Sequence, residues 1–417
     1  MLTGPEAQQA ALPSCRFCAT PLDHVFIDLG VMPLANRNLW PDEVGSERKY
    51  PLICRVCPAC FLVQTDDSLP PDEIFSDYQY FSSFSQSWVA HARRYCDAMI
   101  DRFALGAQSF VVEIASNDGY LLQHFAARGI PVLGIEPAAN IAATARARGI
   151  ETENAFFGTA TATRLAAAGR KPDLMVANNV LAHAPATRDF VGGFATWLAP
   201  QGVATFEFPH LLKLIEEAQF DTIYHEHFFY LSFLTAEQLM TAAGLRVFDV
   251  EELPTHGGSL RLFVCHASAA HAETSRPANL RARERACGLG SIAPYLGFAA
   301  RVAETRDLFL SFLAAEQRAG RTVAAYGAAA KGNTFLNACG INYPQIAAVY
   351  DRNTEKQGRL TAGSHIPILA PEHIDELRPD NVIILPWNLA DEIVSSLPQV
   401  RRWGGRFVTA VPRPRML

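Results

Sequence analysis

With 417 residues, 49 % of them hydrophobic and 19 % charged, the chain is too long for one ordinary domain and apolar enough to build two or three cores. A net charge of -6 and a pI near 6.1 argue against the basic face of a nucleic-acid binder, and no apolar run reaches the roughly 18 residues that span a bilayer. Met1 to Ser14 has neither a basic region nor an apolar core, so no secretory signal is expected. The expected location is the cytoplasm, where nine cysteines stay reduced or hold metal.

Taken in order, residues 1–14 read as a tail. Cys15-Arg16-Phe17-Cys18 and Cys57-Pro58-Ala59-Cys60 are two Cys-x-x-Cys knuckles, the pattern of a structural zinc site closed by four thiolates. Cys54 also lies three before Cys57 and could replace Cys60, although Pro58-Ala59 makes the better turn. Asp77 to Trp88 alternates rings and hydroxyls, with Tyr78, Ser82 and Ser83 among them. It is either a polar linker or a surface for a sugar, and it leads into a helix over Trp88–Phe103.

Residues 109–266 read as a doubly wound α/β unit. The apolar strand Ser109–Ile114 runs into Glu113-Ile114-Ala115-Ser116-Asn117-Asp118-Gly119 and a helix over Tyr120–Arg128. Strand Val132–Ile135 ends in Glu136, strand Leu174–Ala177 in Asn178-Asn179, and Gly202–Phe208 is a further strand. Ligands of such units lie at the carboxyl ends of the strands. The first turn has one glycine and two acids, which suits a cationic, phosphate-free ligand better than a pyrophosphate. S-adenosylmethionine, a sulfonium with an ammonium, fits. The candidate contacts are Glu113, Ala115, Ser116, Asp118, Gly119, Glu136, Asn178 and Asn179, with Glu113 and Asp118 towards the methionine part and Glu136 towards the ribose.

Tyr224-His225-Glu226-His227-Phe228-Phe229-Tyr230 gathers proton-transfer groups among apolar residues, where pKa values drift towards neutrality. It is the expected catalytic segment. His183, after a strand end, is a second candidate. His256-Gly257-Gly258-Ser259-Leu260-Arg261 is a glycine turn into strand Leu260–Cys265, and residues 270–319 read as one or two connecting helices. A second α/β pattern follows, with strands Thr322–Tyr326, Ala347–Tyr350 and Val382–Leu385. Its small-residue turn Gly327-Ala328-Ala329-Ala330-Lys331-Gly332-Asn333 could hold phosphates through amides and Lys331. It lacks the spaced glycines of a nicotinamide-cofactor site.

The knuckles, Tyr78-Gln79-Tyr80-Phe81-Ser82-Ser83, the Glu113–Gly119 turn, Tyr224-His225-Glu226-His227, His256–Arg261 and Tyr326–Gly332 together resemble the S-adenosylmethionine-dependent sugar C-methyltransferases, over nearly the whole chain. The resemblance implies an α/β protein in three parts. A small zinc-binding module (1–75) precedes a Rossmann-like methyltransferase domain (76–269), and a helical linker with a Rossmann-like domain (270–417) helps to bind a nucleotide sugar. It implies zinc on Cys15, Cys18, Cys57 and Cys60. It places the active site on Tyr78, His183, Tyr224, Glu226 and His227, with His227 as base. Substrate contacts are expected from Ser82, Ser83, His256, Arg261, Gly327, Lys331, Asn333 and Trp387. The implied reaction is methylation beside the keto group of a nucleotide-linked 4-keto-deoxysugar, expected at C-3 and on dTDP. The acidic charge and the lack of a spanning apolar run lead to no expected nucleic-acid or membrane partner, and with no strong self-association signal a monomer is expected. Methylation at C-5 or of another carbon acid, and a zinc-bearing sugar-binding protein without turnover, stay open.

Overall fold

A computed structural model describes residues 12–67 and 81–417. Tyr78 and most of the tail lie outside them. Three antiparallel strands, β1 (His24–Met32), β2 (Tyr50–Val56) and β3 (Val63–Thr65), form an N-terminal sheet. The helix Gln86–Phe103 follows, capped by Ser85 Oγ and ended by Ala104 at φ 48°.

The central sheet starts with β4 (Val111–Ile114), β5 (Val132–Ile135), β6 (Thr152–Glu153), β7 (Leu174–Asn178) and β8 (Val203–Pro209), all parallel. β9 (Phe229–Tyr230) leaves this region to pair with β3, so the N-terminal sheet borrows its fourth strand from the catalytic segment. β10 (Leu245–Leu253) and β11 (Ser259–His266) complete the central sheet antiparallel, in the order β10-β11-β8-β7-β4-β5-β6. β4 and β7 are apolar runs buried on both faces, as parallel strands between helices must be. The direction of winding reverses between β4 and β7, which opens the crevice for a ligand there.

The linker forms three helices, Ser275–Ala286, Ala293–Leu296 and Phe298–Arg318, rather than one or two. Gly288 at φ 84° and Pro294 break the run. The last sheet holds β12 (Val323–Tyr326), β13 (Val349–Tyr350), β14 (Ile368–Leu369), β15 (Asn381–Ile384), β16 (Arg406–Thr409) and β17 (Arg415–Met416), in the order β14-β13-β12-β15-β16-β17. Its switch point lies between β12 and β15, beside Gly327–Lys331 and Trp387.

The parts are fused rather than strung together. One apolar cluster runs from Phe26 and Leu52 through Phe298, Val302 and Phe309 to Phe335 and Val349, and Phe26 stacks on Phe298 at 4.4 Å. Among the described residues no helix is long and apolar enough to cross a membrane.

Candidate active site

The knuckles fold into a metal site. The Sγ atoms of Cys15, Cys18, Cys57 and Cys60 all lie within 4.8 Å of one another. Contacts of 3.6 Å (Cys15–Cys60), 3.4 Å (Cys18–Cys57) and 3.6 Å (Cys18–Cys60) match the edge of about 3.7 Å that Zn–S bonds of about 2.3 Å give a tetrahedron. Gln64 Nε2 donates to Cys15 Sγ at 3.2 Å, a supporting bond of the kind that orients ligands. Cys54 is buried on β2 and stands outside the cluster, which settles the ambiguity in favour of Cys60.

At the central switch point the turn after β4 is strained and polar. Ala115, Asn117 and Gly119 have φ of 54°, 50° and 79°, and such conformations gather at ligand clamps. Gly134 on β5 is required, since a Cβ there would meet Ser116 Oγ at 2.3 Å. Glu113 Oε2, Ser116 Oγ, Asn178 Oδ1 and both side-chain polar atoms of Asn179 are buried without a hydrogen-bond partner among the described residues. Buried polar atoms are otherwise nearly always bonded, so this donor set fits the cofactor. Burial, with Glu136 and Asp118 nearby, pushes the Glu113 carboxyl well above the usual range. Glu136 accepts from Asn117 N and Ala138 N at 2.9 Å each, which fixes its carboxylate. Both carboxylate oxygens of Asp118 are likewise buried without a hydrogen bond among the described residues, and the Arg148 guanidinium lies 2.8 Å from Oδ2 as an ion-pair partner.

The catalytic segment is a tight turn, with His227 N donating to Tyr224 O at 2.9 Å, backed by the zinc sheet through Thr65 N to Phe228 O at 3.1 Å. His227 Nδ1 donates to Thr222 O at 2.9 Å, which leaves the lone pair on Nε2. Burial, then the charges that His183, His256 and Lys331 would present, hold the imidazole neutral, well below its usual pKa. The Tyr224 ring lies 4.0 Å and the His183 ring 4.7 Å from it. His183 Nδ1 donates to Glu226 O at 2.7 Å, and burial pulls His183 down to about 4. His183 therefore presents a lone pair at Nε2, not a proton. His225 turns away and donates to Pro51 O on the zinc sheet at 3.2 Å.

Other expected substrate contacts divide. Lys331 comes from the C-terminal domain to the same place. Its Nζ reaches His256 O at 3.5 Å and Asn388 Oδ1 at 3.3 Å, and lies 4.8 Å over the Trp387 ring. Trp387 Nε1 donates to Asp221 Oδ2 at 2.7 Å, and Gly257 leaves room for the ring. Ser82 lies beside the cofactor turn, its N donating to Asn117 Oδ1 at 2.9 Å, with half-buried Ser83 next to it. Arg261 is instead committed to Glu207 at 2.6 Å and Glu251 at 3.3 Å. Asn333 is spent on the zinc module, donating to Ala35 O and Asn38 Oδ1. Gly327, at φ 92°, packs its Cα against Pro386, and the next amide, Ala328 N, donates to Asp351 Oδ2 at 2.8 Å. A phosphate at that amide would meet a like charge. Sequence reasoning missed Asn36, which bonds Glu226, and Thr222, which sets the His227 tautomer.

An acidic, orphan-lined crevice in a doubly wound sheet, beside a half-buried neutral imidazole, defines the class: a methyltransferase using S-adenosylmethionine, with a structural zinc module. Family models agree in the same order: a zinc-binding domain over residues 15–75, a methyltransferase domain over 88–250 and a C-methyltransferase C-terminal domain over 254–412. The chain is 35 % identical over 407 residues, 97 % of each protein, to the C-methyltransferase NovU of Streptomyces niveus. It belongs to this C-methyltransferase family. Magnesium protoporphyrin IX methyltransferase from Synechocystis PCC 6803, with S-adenosylmethionine bound, is 14 % identical over 47 % of this chain and 89 % of its own, at a TM-score of 0.33. The PH0226 protein of Pyrococcus horikoshii is 13 % identical over 47 % and 97 %, at 0.36. Likenesses at that level carry no weight here.

Proposed function

We propose that the enzyme methylates the carbon next to the keto group of a nucleotide-linked 4-keto-deoxysugar, at C-3 and with dTDP as the carrier, acting as a monomer. The observation that carries this reading is His227, a half-buried neutral imidazole whose Nδ1 is tied to Thr222 O and whose Nε2 is kept as a base. A carbon acid is too weak to ionise near neutrality unless an adjacent carbonyl takes up the charge. Nε2 of His227 removes the α-proton, and the Tyr224 hydroxyl donates to the developing enolate oxygen, as a preorganised donor. His183 donates from Nδ1 to the Glu226 carbonyl, which favours the Tyr224 hydroxyl over His183 as that donor. It holds the main chain of the segment, with its ring 4.7 Å from that of His227. Glu113, Ser116, Glu136, Asn178 and Asn179 would hold S-adenosylmethionine, which when bound supplies an electrophilic methyl on a sulfonium. Lys331, His256 and Trp387 face the substrate from the C-terminal side. The sugar class rests on the motif order from Tyr78 to Gly332.

The test is mass spectrometry of products from the protein, S-adenosylmethionine and dTDP-4-keto-deoxysugars. A product heavier by one methyl, with fragmentation placing it at C-3, is expected. The His227→Asn variant should bind the cofactor normally yet lose transfer by at least about a hundredfold. Wild-type turnover in that variant would remove the base assignment, and methyl at C-5 would move the reacting carbon.

A further inference from the structure

Asn36 belongs to the zinc module, in the loop after β1, yet it lies on the catalytic segment. Its Nδ2 donates to both carboxylate oxygens of Glu226, at 2.6 Å to Oε1 and 2.8 Å to Oε2. No other described residue donates to them. The loop is held on both sides of Asn36. Asn333 Nδ2 donates to Ala35 O at 2.7 Å and to Asn38 Oδ1 at 3.1 Å. Leu39 and Leu360 exchange main-chain bonds of 2.9 and 2.7 Å, and Arg359 lies 4.3 Å over the Trp40 ring. The arm that carries Asn36 is therefore built from two modules and aimed at the third.

An amide can donate hydrogen bonds to a carboxylate but can give it no proton. Set on a buried carboxyl, it favours the anion against a burial that favours the acid. We infer that Asn36 is a positioning residue of the reaction, holding Glu226 as a fixed carboxylate while the main-chain carbonyl of Glu226 holds His183; this rests on the proposed catalytic role of the Tyr224–His227 segment. The groups around Glu226 are the Asn36 amide, Lys356 of the C-terminal domain, His183 on its carbonyl, and Tyr224, His225 and His227 on its own segment. Burial lifts the Glu226 carboxyl to about 7 against Asn36 and Lys356, so its charge changes close to neutral pH. The zinc module thus acts on the chemistry through one side chain, beyond its part in stability.

The test compares kcat/KM against pH, from about 5.5 to 9, in the full-length zinc-loaded wild type and in Asn36→Leu, Asn36→Asp and Asn36→Gln. In Asn36→Leu the acid limb should move to higher pH by about one unit or more, with activity recovering in alkali and cofactor affinity unchanged. Asn36→Asp, which adds a like charge, should move it further, and Asn36→Gln, which keeps the amide, should stay near wild type. The carboxyl stretch of Glu226, isolated by infrared difference against Glu226→Gln, should shift in parallel. That readout needs no turnover, so it decides the inference even if no 4-keto sugar is methylated, a result that would count against the substrate reading instead. An unmoved Glu226 titration in Asn36→Leu, with activity lost equally at every pH, would overturn the inference.

Discussion

Which nitrogen of His227 carries the proton is decided by the carbonyl of Thr222, five residues back. Residue types do not record such a choice. The histidines, Glu226 and Tyr224 were legible in the sequence because they crowd one apolar stretch. Asn36, Thr222 and Arg148 were not, because each acts through a contact that only folding creates. Glu207 makes the same point about stability. Burial pushes its carboxyl up, but the hydrogen bond with His91 and the charge of Arg261 outweigh it and hold the group at about 2. A folded pKa below the unfolded one means stability that is present above pH of about 4.5 and lost as pH falls towards 2, on the order of 3 kcal/mol. Arg261→Met would leave Glu207 buried with only His91 and the Thr255 hydroxyl as partners among the described residues. It should lower stability at pH 7 by about 3 kcal/mol and raise the pH at which acid unfolding sets in, both read from urea melts across pH. Unchanged melts would mean that Arg261 is free for substrate after all.

At the scale of elements, β4, β5, β7, β8, β11, β12, β13 and β15 were readable, whereas the antiparallel β1 and β10 were not. β4, β7, β12 and β15 are short apolar runs bounded by turn residues, as burial on both faces requires. β10 was hidden by Arg246, Asp249, Glu251 and Glu252; the three acids are met by Arg102, Arg261, Arg276 and Arg283, and Arg246 donates to the Ala269 and His271 carbonyls. β1 was hidden by two register shifts, which break its alternation. The zinc sheet could not be read whole from residues 15–65, because its last strand, β9, comes from the catalytic segment. That pairing ties metal to chemistry. Cys57→Ser should yield protein with less than one zinc per chain, a lower melting temperature and reduced methyl transfer, measured by metal analysis, calorimetry and product assay. Full zinc retention would remove Cys57 from the ligand set.

At the scale of the whole molecule, three modules converge on one imidazole. The central sheet supplies the cofactor crevice and His183, the zinc module supports the segment through Thr65 and Asn36, and the C-terminal domain brings Lys331 and Trp387. This convergence suits an enzyme that must expose a carbon acid to a base, a donor and a methyl source while excluding water. The most direct measurement is hydrogen exchange in deuterated water, with a dTDP-4-keto-deoxysugar and the protein but no S-adenosylmethionine. The expected result is deuterium uptake at C-3, fast with the wild type and absent with His227→Asn. No uptake by the wild type, or equal uptake by the variant, would contradict His227 as the base that opens the reaction.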